Sequence, residues 1–135
     1  MSGELCDLLI VDDQAGVRRL LYEALCDEGY RVDTASSGPE AIRKISAKNP
    51  SLVLLDIKMP VMNGLETLEE LRKLSPELPV VMMTAYGELD IVIEAKKRGV
   101  QHYINKPFDL NEVRYLVKGL LLEDADERKL MKEIG

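Results

Sequence analysis

Three runs of this chain, Leu8-Leu9-Ile10-Val11, Leu52-Val53-Leu54-Leu55 and Val80-Val81-Met82-Met83, are apolar at every position rather than at every second one. A strand with one wet face alternates. An unbroken apolar run this short therefore marks a strand covered on both faces, as parallel strands between two layers of helix are. Each run ends in polar chemistry: Asp12-Asp13 after the first, Asp56 after the second, Thr84 after the third, while a further strand runs into Lys106. In an open parallel sheet all strand ends of one polarity lie along one edge, so these scattered residues are predicted to meet there.

Between the runs the apolar period turns helical. Val17, Leu20, Leu21, Ala24 and Leu25 follow helix spacing as far as Gly29. A short strand near residues 31–35 leads through Ser36-Ser37-Gly38 into a helix opened by Pro39 and closed ahead of Pro50. Helix resumes after Asn63-Gly64, and again from about Leu89 to Arg98, where Gly99 suits a left-handed cap. Asp109 is placed to cap a last helix and Glu112 to complete a capping box, with Val113, Leu116, Val117, Leu120 and Leu121 as the buried stripe. Five βα units without an internal linker predict a three-layer, doubly wound α/β domain over residues 5–122. Right-handed crossovers place the first and fifth helices on one face and the other three on the opposite face, in strand order 2-1-3-4-5. Residues 123–135 are expected to be a C-terminal helical extension or tail, because Glu123 to Glu127 interrupts the stripe that Leu130, Met131 and Ile134 resume. Asp124 and Arg128, four apart, favour continued helix there by only ~0.2–0.5 kcal/mol.

The chain has 135 residues and a formal charge of −6, with no basic stripe, which argues against direct nucleic-acid binding. With no charged-then-apolar leader and no long apolar stretch, a cytoplasmic protein without membrane contact is expected, its Cys6 and Cys26 as free thiols.

Three carboxylates at ~5 Å repel by roughly 3 kcal/mol per pair at an effective dielectric of 20, a large sum beside a domain's whole stability. Either protons or a cation must offset this, and one lysine covers only part. Hard oxygen ligands with open positions suit Mg²⁺. Taken singly, Asp12-Asp13 is an ordinary helix cap, Lys106-Pro107 an ordinary turn and Thr84 an ordinary strand-end hydroxyl. Their joint occurrence favours a phosphoryl site, and a cis bond at Lys106-Pro107 is one way to aim the ammonium over the edge.

The segments LIVDDQAGVR, LVLLDIKMPVMNG, VVMMTAYGELD and YINKPFD, in this order, resemble the receiver domains of response regulators in two-component and phosphorelay signalling. The resemblance implies the flavodoxin-like receiver fold and a phospho-accepting switch, with Asp56 as phosphoacceptor for a phosphohistidine donor. It implies Mg²⁺ held by Asp13, Asp56 and the backbone carbonyl of Lys58, with Asp12 acting through water, and Thr84 and Lys106 touching the phosphoryl oxygens. Tyr103 occupies the place of the family's aromatic switch and is expected to turn in once Thr84 is drawn toward the phosphate. By the same resemblance Gln14, Lys58 and Tyr86 are expected to line the pocket, and DQAGVR, DIKMP and TAYGELD look most like the single-domain sporulation-phosphorelay type. Because MTAYG also occurs in receivers joined to AAA+ transcription activators, the alternative is a receiver cut from such a regulator. Implied partners are a sensor histidine kinase or histidine phosphotransfer protein, and a downstream protein at the face formed by the fourth helix, fifth strand and fifth helix. A monomer is expected before phosphorylation.

Rival chemistries fit less well. A phosphatase of the aspartyl-nucleophile type would carry a second aspartate two residues after the first, where this chain has Lys58, and a nucleotide or flavin site would be repelled by Asp12-Asp13. The protein is thus expected to catalyse only its own Mg²⁺-dependent phosphorylation and slow dephosphorylation. Ile91, Val92 and Ile93 are consecutive on a helix, so one of them must face outward. His102, the only histidine, receives no role.

Overall fold

The computed structural model of the protein describes residues 6–85 and 88–134, the side chains as far as Leu122. Strands β1 (Leu8–Val11), β2 (Val32–Ala35), β3 (Leu52–Asp56), β4 (Val80–Thr84) and β5 (His102–Asn105) alternate with helices α1 (Ala15–Cys26), α2 (Gly38–Lys48), α3 (Gly64–Leu74), α4 (Leu89–Lys97) and α5 (Leu110–Ile134). All strand pairs are parallel and the sheet order is β2-β1-β3-β4-β5.

The unbroken apolar runs are buried on both sides, as the absence of alternation requires. Leu9, Val11, Val53 and Leu55 join Ala41, Ile45, Leu68, Leu71 and Ala95 in the layer under α2, α3 and α4. Leu8, Ile10, Leu52 and Leu54 join Leu21, Leu25, Val113 and Val117 in the layer under α1 and α5. Each such side chain contributes about 1.5–3 kcal/mol by leaving water, so the two layers fix the sheet between the helices.

The helices differ in how well their ends are satisfied. Ser37 caps α2, its hydroxyl accepting from Glu40 N at 3.3 Å, with Pro39 in the first turn. α3 carries a complete capping box: Asn63 Oδ1 accepts from Glu66 N at 2.9 Å, and Glu66 Oε1 accepts from Asn63 N at 3.1 Å. α4 has no side-chain cap hydrogen bond at its N-terminus and buries only Ala95, although Gly99 (φ 84°) closes its far end as expected. The box anticipated at Asp109 and Glu112 is corrected. Asp109 Oδ1 accepts from Asn111 N at 2.8 Å, and among the described residues Glu112 returns no bond, because the cap has closed on the second helical amide rather than the third.

α5 runs on past Leu122 to Ile134, so the acidic stretch does not end the helix. Of the apolar triplet on α4, Ile93 is the exposed member at 48%, while Ile91 and Val92 pack on the core. Both cysteines are free thiols. Among the described residues no helix is long and apolar enough to cross a membrane.

At the N-terminal edge of the sheet the polar groups bond one another. Arg31 donates from its backbone and guanidinium to the Asp7 carboxylate at 2.7 and 3.0 Å. Arg72, at the end of α3, donates to Arg98 O and Leu78 O, both at 2.7 Å, tying α3 to α4 and to the entry of β4.

Candidate functional site

Register alone sets the first contact at the other edge. Val11 lies beside Leu55, so the next residues, Asp12 and Asp56, emerge side by side. With Asp13 they bring three carboxylates together, one oxygen from each lying within 4.8 Å of the others. Asp12 is fully buried, Asp56 is 5% exposed and Asp13 faces solvent. Lys106 reaches in from the loop after β5, its Nζ 2.7 Å from Asp12 Oδ2 and 3.3 Å from Asp56 Oδ1. The peptide bond that follows it, Lys106–Pro107, is cis. The loop is further held by Lys106 N donating to Thr84 O at 2.6 Å.

The three acids are not equivalent. Both Asp12 oxygens are engaged, Oδ1 accepting from Gln14 N at 2.9 Å and Oδ2 from Lys106. Asp13 makes no hydrogen bond or ion pair among the described residues, which leaves its oxygens open toward solvent. Burial, then the charge of Asp12, push the Asp56 carboxyl up to about 6 against the opposing pull of Lys106, with Asp13 adding a smaller push. Burial draws the Lys106 ammonium down, yet its hydrogen bond to Asp12 and the surrounding negative charge raise it overall. The cluster therefore keeps a formal excess of negative charge at neutral pH, held by one lysine. Oxygen donors only, few in number and partly open, fit a small hard divalent cation such as Mg²⁺.

The remaining sequence-selected residues fall into three groups. Thr84 is buried at the end of β4, next to Asn105 in register, and its hydroxyl donates to Asn105 Oδ1 at 3.1 Å. Gln14 and Lys58 are exposed at the rim, whereas Tyr86 lies outside the described residues. Tyr103 packs against the same core layer as Ile91 and Val92, its hydroxyl donating to Val100 O at 3.0 Å and to Val92 O at 3.3 Å. The tyrosine is half-buried and tied to α4 through the Val92 carbonyl. Burying the ring while giving its hydroxyl a carbonyl is sufficient reason for that pose.

Three further residues shape the edge and escape sequence reasoning. Arg18 donates from Nη1 to Asp12 O at 2.7 Å, clamping the β1–α1 turn from the first helix. Glu88 is buried and accepts from Ala85 N at 2.5 Å, joining the start of α4 to the residue after Thr84. A Cβ on Gly64 would overlap Asp56 O and come within 2.7 Å of Ile57 Cα, so α3 starts pressed against the backbone of the central aspartate. Only Gly64 carries a local signal, a glycine opening a helix just after a strand, and its purpose shows only once Asp56 is seen behind it.

Comparison with known proteins agrees with this geometry. The family model described as the response regulator receiver domain matches residues 8–118. The chain is similar to sporulation initiation phosphotransferase F of Bacillus subtilis (strain 168), at 44% identity over 114 residues, 84% of this chain and 92% of that protein. It is also similar to the transcriptional regulatory protein ZraR of Klebsiella oxytoca, at 42% identity over 84% of this chain but only 26% of that longer protein. Among solved structures it resembles the receiver domain of NtrX from Brucella abortus, with a TM-score of 0.80 and 36% identity over 85% of this chain and 98% of that one.

Proposed function

The chain belongs to the response-regulator receiver family, and on that footing we propose that Asp56 accepts a phosphoryl group from a phosphohistidine on a sensor histidine kinase or histidine phosphotransfer protein. The observation that carries this reading is Lys106 lying between the carboxylates of Asp12 and Asp56, with Asp13 open beside them. In the transfer the P–N bond to the donor imidazole breaks, a P–O bond to an Asp56 oxygen forms, and the electron pair leaves with the imidazole nitrogen. Above about pH 6 Asp56 is ionised and ready as the nucleophile. Lys106 stands where charge spreads over the transferring oxygens, and positioning with charge neutralisation is most of what such a reaction needs.

Asp13 and Asp56, with the Lys58 carbonyl, would hold Mg²⁺ directly, and Asp12, whose oxygens are already engaged, through water. The ion would supply neutralisation of phosphoryl charge beyond what one lysine offers. A phosphoryl group at Asp56 offers Thr84 an acceptor that competes with Asn105, so the Thr84–Asn105 bond is the link exchanged on phosphorylation. Release of that bond reaches β5 one residue from Ile104 and two from Tyr103, and the signal leaves through the face of α4, β5 and α5 to a downstream protein or by onward phosphotransfer. The protein acts in the cytoplasm as a monomer before phosphorylation, its catalysis confined to gain and slow loss of its own phosphate. Its similarity to ZraR supports the same chemistry in a receiver of a longer regulator.

Phosphoramidate with Mg²⁺ should add one acid- and base-labile phosphoryl group, and Asp56→Asn should reduce labelling about 100-fold or more. Mass spectrometry of the intact protein reads this. Labelling of the variant at the parent's rate would place the acceptor elsewhere.

A further inference from the structure

Val61 is the residue that its own fold explains least. It sits on the loop between β3 and α3, five residues after Asp56, with φ at 69° and 97% of its surface exposed. A left-handed backbone crowds a β-branched side chain, and glycine or asparagine would hold the same turn with less strain. The turn returns one backbone hydrogen bond, Met62 N donating to Pro60 O at 2.8 Å, but among the described residues the Val61 side chain itself packs on nothing and stands in water. The neighbouring methionines do the opposite: Met59 is buried, and Met62 lies against Gly38. Strain held at an exposed apolar side chain points to a use outside the chain.

Pro60, next to Val61, helps line a groove of about 430 Å³ whose walls include Ile57, Met59 and Leu65 on one side and Ile91 of α4 on the other. Lys58 stands at its rim. We propose that Val61 and this groove receive apolar side chains of the histidine-bearing phosphodonor protein, with Lys58 facing a carboxylate beside them. The inference rests on Asp56 as the acceptor: a donor whose phosphohistidine reaches Asp56 must cover the C-terminal edge of the sheet, and the β3–α3 loop is part of that edge. The acidic cluster offers a protein donor no apolar contact, whereas the knob and groove do so within the same footprint.

Val61→Asn and Val61→Gly test it, because both residues accept the left-handed turn and both remove the apolar knob. Three measurements are needed: melting temperature, labelling by phosphoramidate, and transfer from an autophosphorylated histidine kinase selected because it labels the parent. Val61→Asn should melt at or above the parent temperature. Phosphoramidate labelling of both variants should stay within about twofold, while transfer from the kinase should slow about five- to tenfold, the loss recovering at high receiver concentration. Equal kinase rates for parent and variants overturn the proposal while leaving Asp56 as acceptor. A matching loss with phosphoramidate also overturns it, since Val61 would then act on the site rather than on docking. A lower melting temperature for Val61→Asn removes the strain argument. Concentration-dependent sedimentation of the parent, abolished in both variants, would assign the knob to a second copy instead. Failure of the parent itself to label sinks the acceptor reading and this inference with it.

Discussion

The two edges of the sheet are made from the same five strands and treat their polar groups in opposite ways. At the N-terminal edge Asp7 meets Arg31, and the Arg72 guanidinium is used up on the carbonyls of Arg98 and Leu78. At the C-terminal edge three carboxylates share one lysine, Asp13 is left open, and Val61 stands strained in solvent. The first arrangement is closed and holds helix ends together. The second retains a charge deficit that an incoming cation and phosphoryl group can relieve. Stability and chemistry have been separated along the strand direction, which is what lets the reactive edge carry repulsion without unfolding the domain.

That contrast can be broken most directly at Arg72. Arg72→Ala leaves two carbonyls without their charged donor and unties α3 from α4, so a loss of about 3 kcal/mol is expected with phosphoramidate labelling unchanged. Urea denaturation reads the first and intact mass the second. A labelling defect as large as the stability defect would mean that the edges are not separate.

The next effect, about 2 kcal/mol, comes from the reactive edge and has the opposite sign. The Asp56 carboxyl is raised from 3.8 to about 6 on folding, so the folded chain holds a proton that the unfolded chain releases between these values. Stability from this group is full below about pH 4 and is lost as the pH rises through 6. Asp56→Asn should therefore be more stable than the parent at pH 7.5 without Mg²⁺, the gap closing toward pH 4 and narrowing when Mg²⁺ is added. Parallel stability curves for the two proteins across that range would show that the acids do not strain the fold.

Within the cluster, Asp13→Ala should weaken Mg²⁺ binding about tenfold, and more than Asp12→Ala, because the open carboxylate is the one free to coordinate. NMR titration separates them. Equal affinities would deny that the cluster is divided in this way.

The smallest effect tests a well-satisfied helix entry on the reactive side. Asn63→Ala should cost about 1 kcal/mol by opening the capping box at α3, with little change in Mg²⁺ affinity. A much larger loss of affinity would show that the start of α3, through Gly64, sets the position of Asp56 more tightly than the cap itself.

Much of this was legible because burial on both faces leaves a mark that needs no distant partner. The unbroken run Leu52 to Leu55 announces a central strand, and the crossover rule then brings Asp56 beside Asp12. What depends on distant partners left no such mark. Arg72 finds its acceptor 26 residues away at Arg98, and its neighbours in sequence say nothing of it. Asn63-x-x-Glu66 and Asp109-x-x-Glu112 spell the same cap, yet only the first closes reciprocally, since the choice between the second and third amide depends on how the loop enters the helix. Tyr103 is identifiable by type and place, but its rotamer is set by the carbonyls of Val92 and Val100. For Val61 the sequence argues against the conformation found, because a β-branched residue is a poor choice for φ above zero.

α5 adds a mechanical consequence. At about 1.5 Å per residue, the part from Leu122 to Ile134 carries the helix axis some ~18 Å past Leu121, the last of the described side chains packed on the sheet, so a change in the helix direction near Val117 is magnified at its far end. A tilt of about 10° against the sheet, too small to open the core, displaces the far end by ~3 Å relative to Leu122, by the same helical rise. Repacking of a few side chains beside α5 is thereby converted into a displacement large enough for a partner, or a distance probe at the helix end, to register.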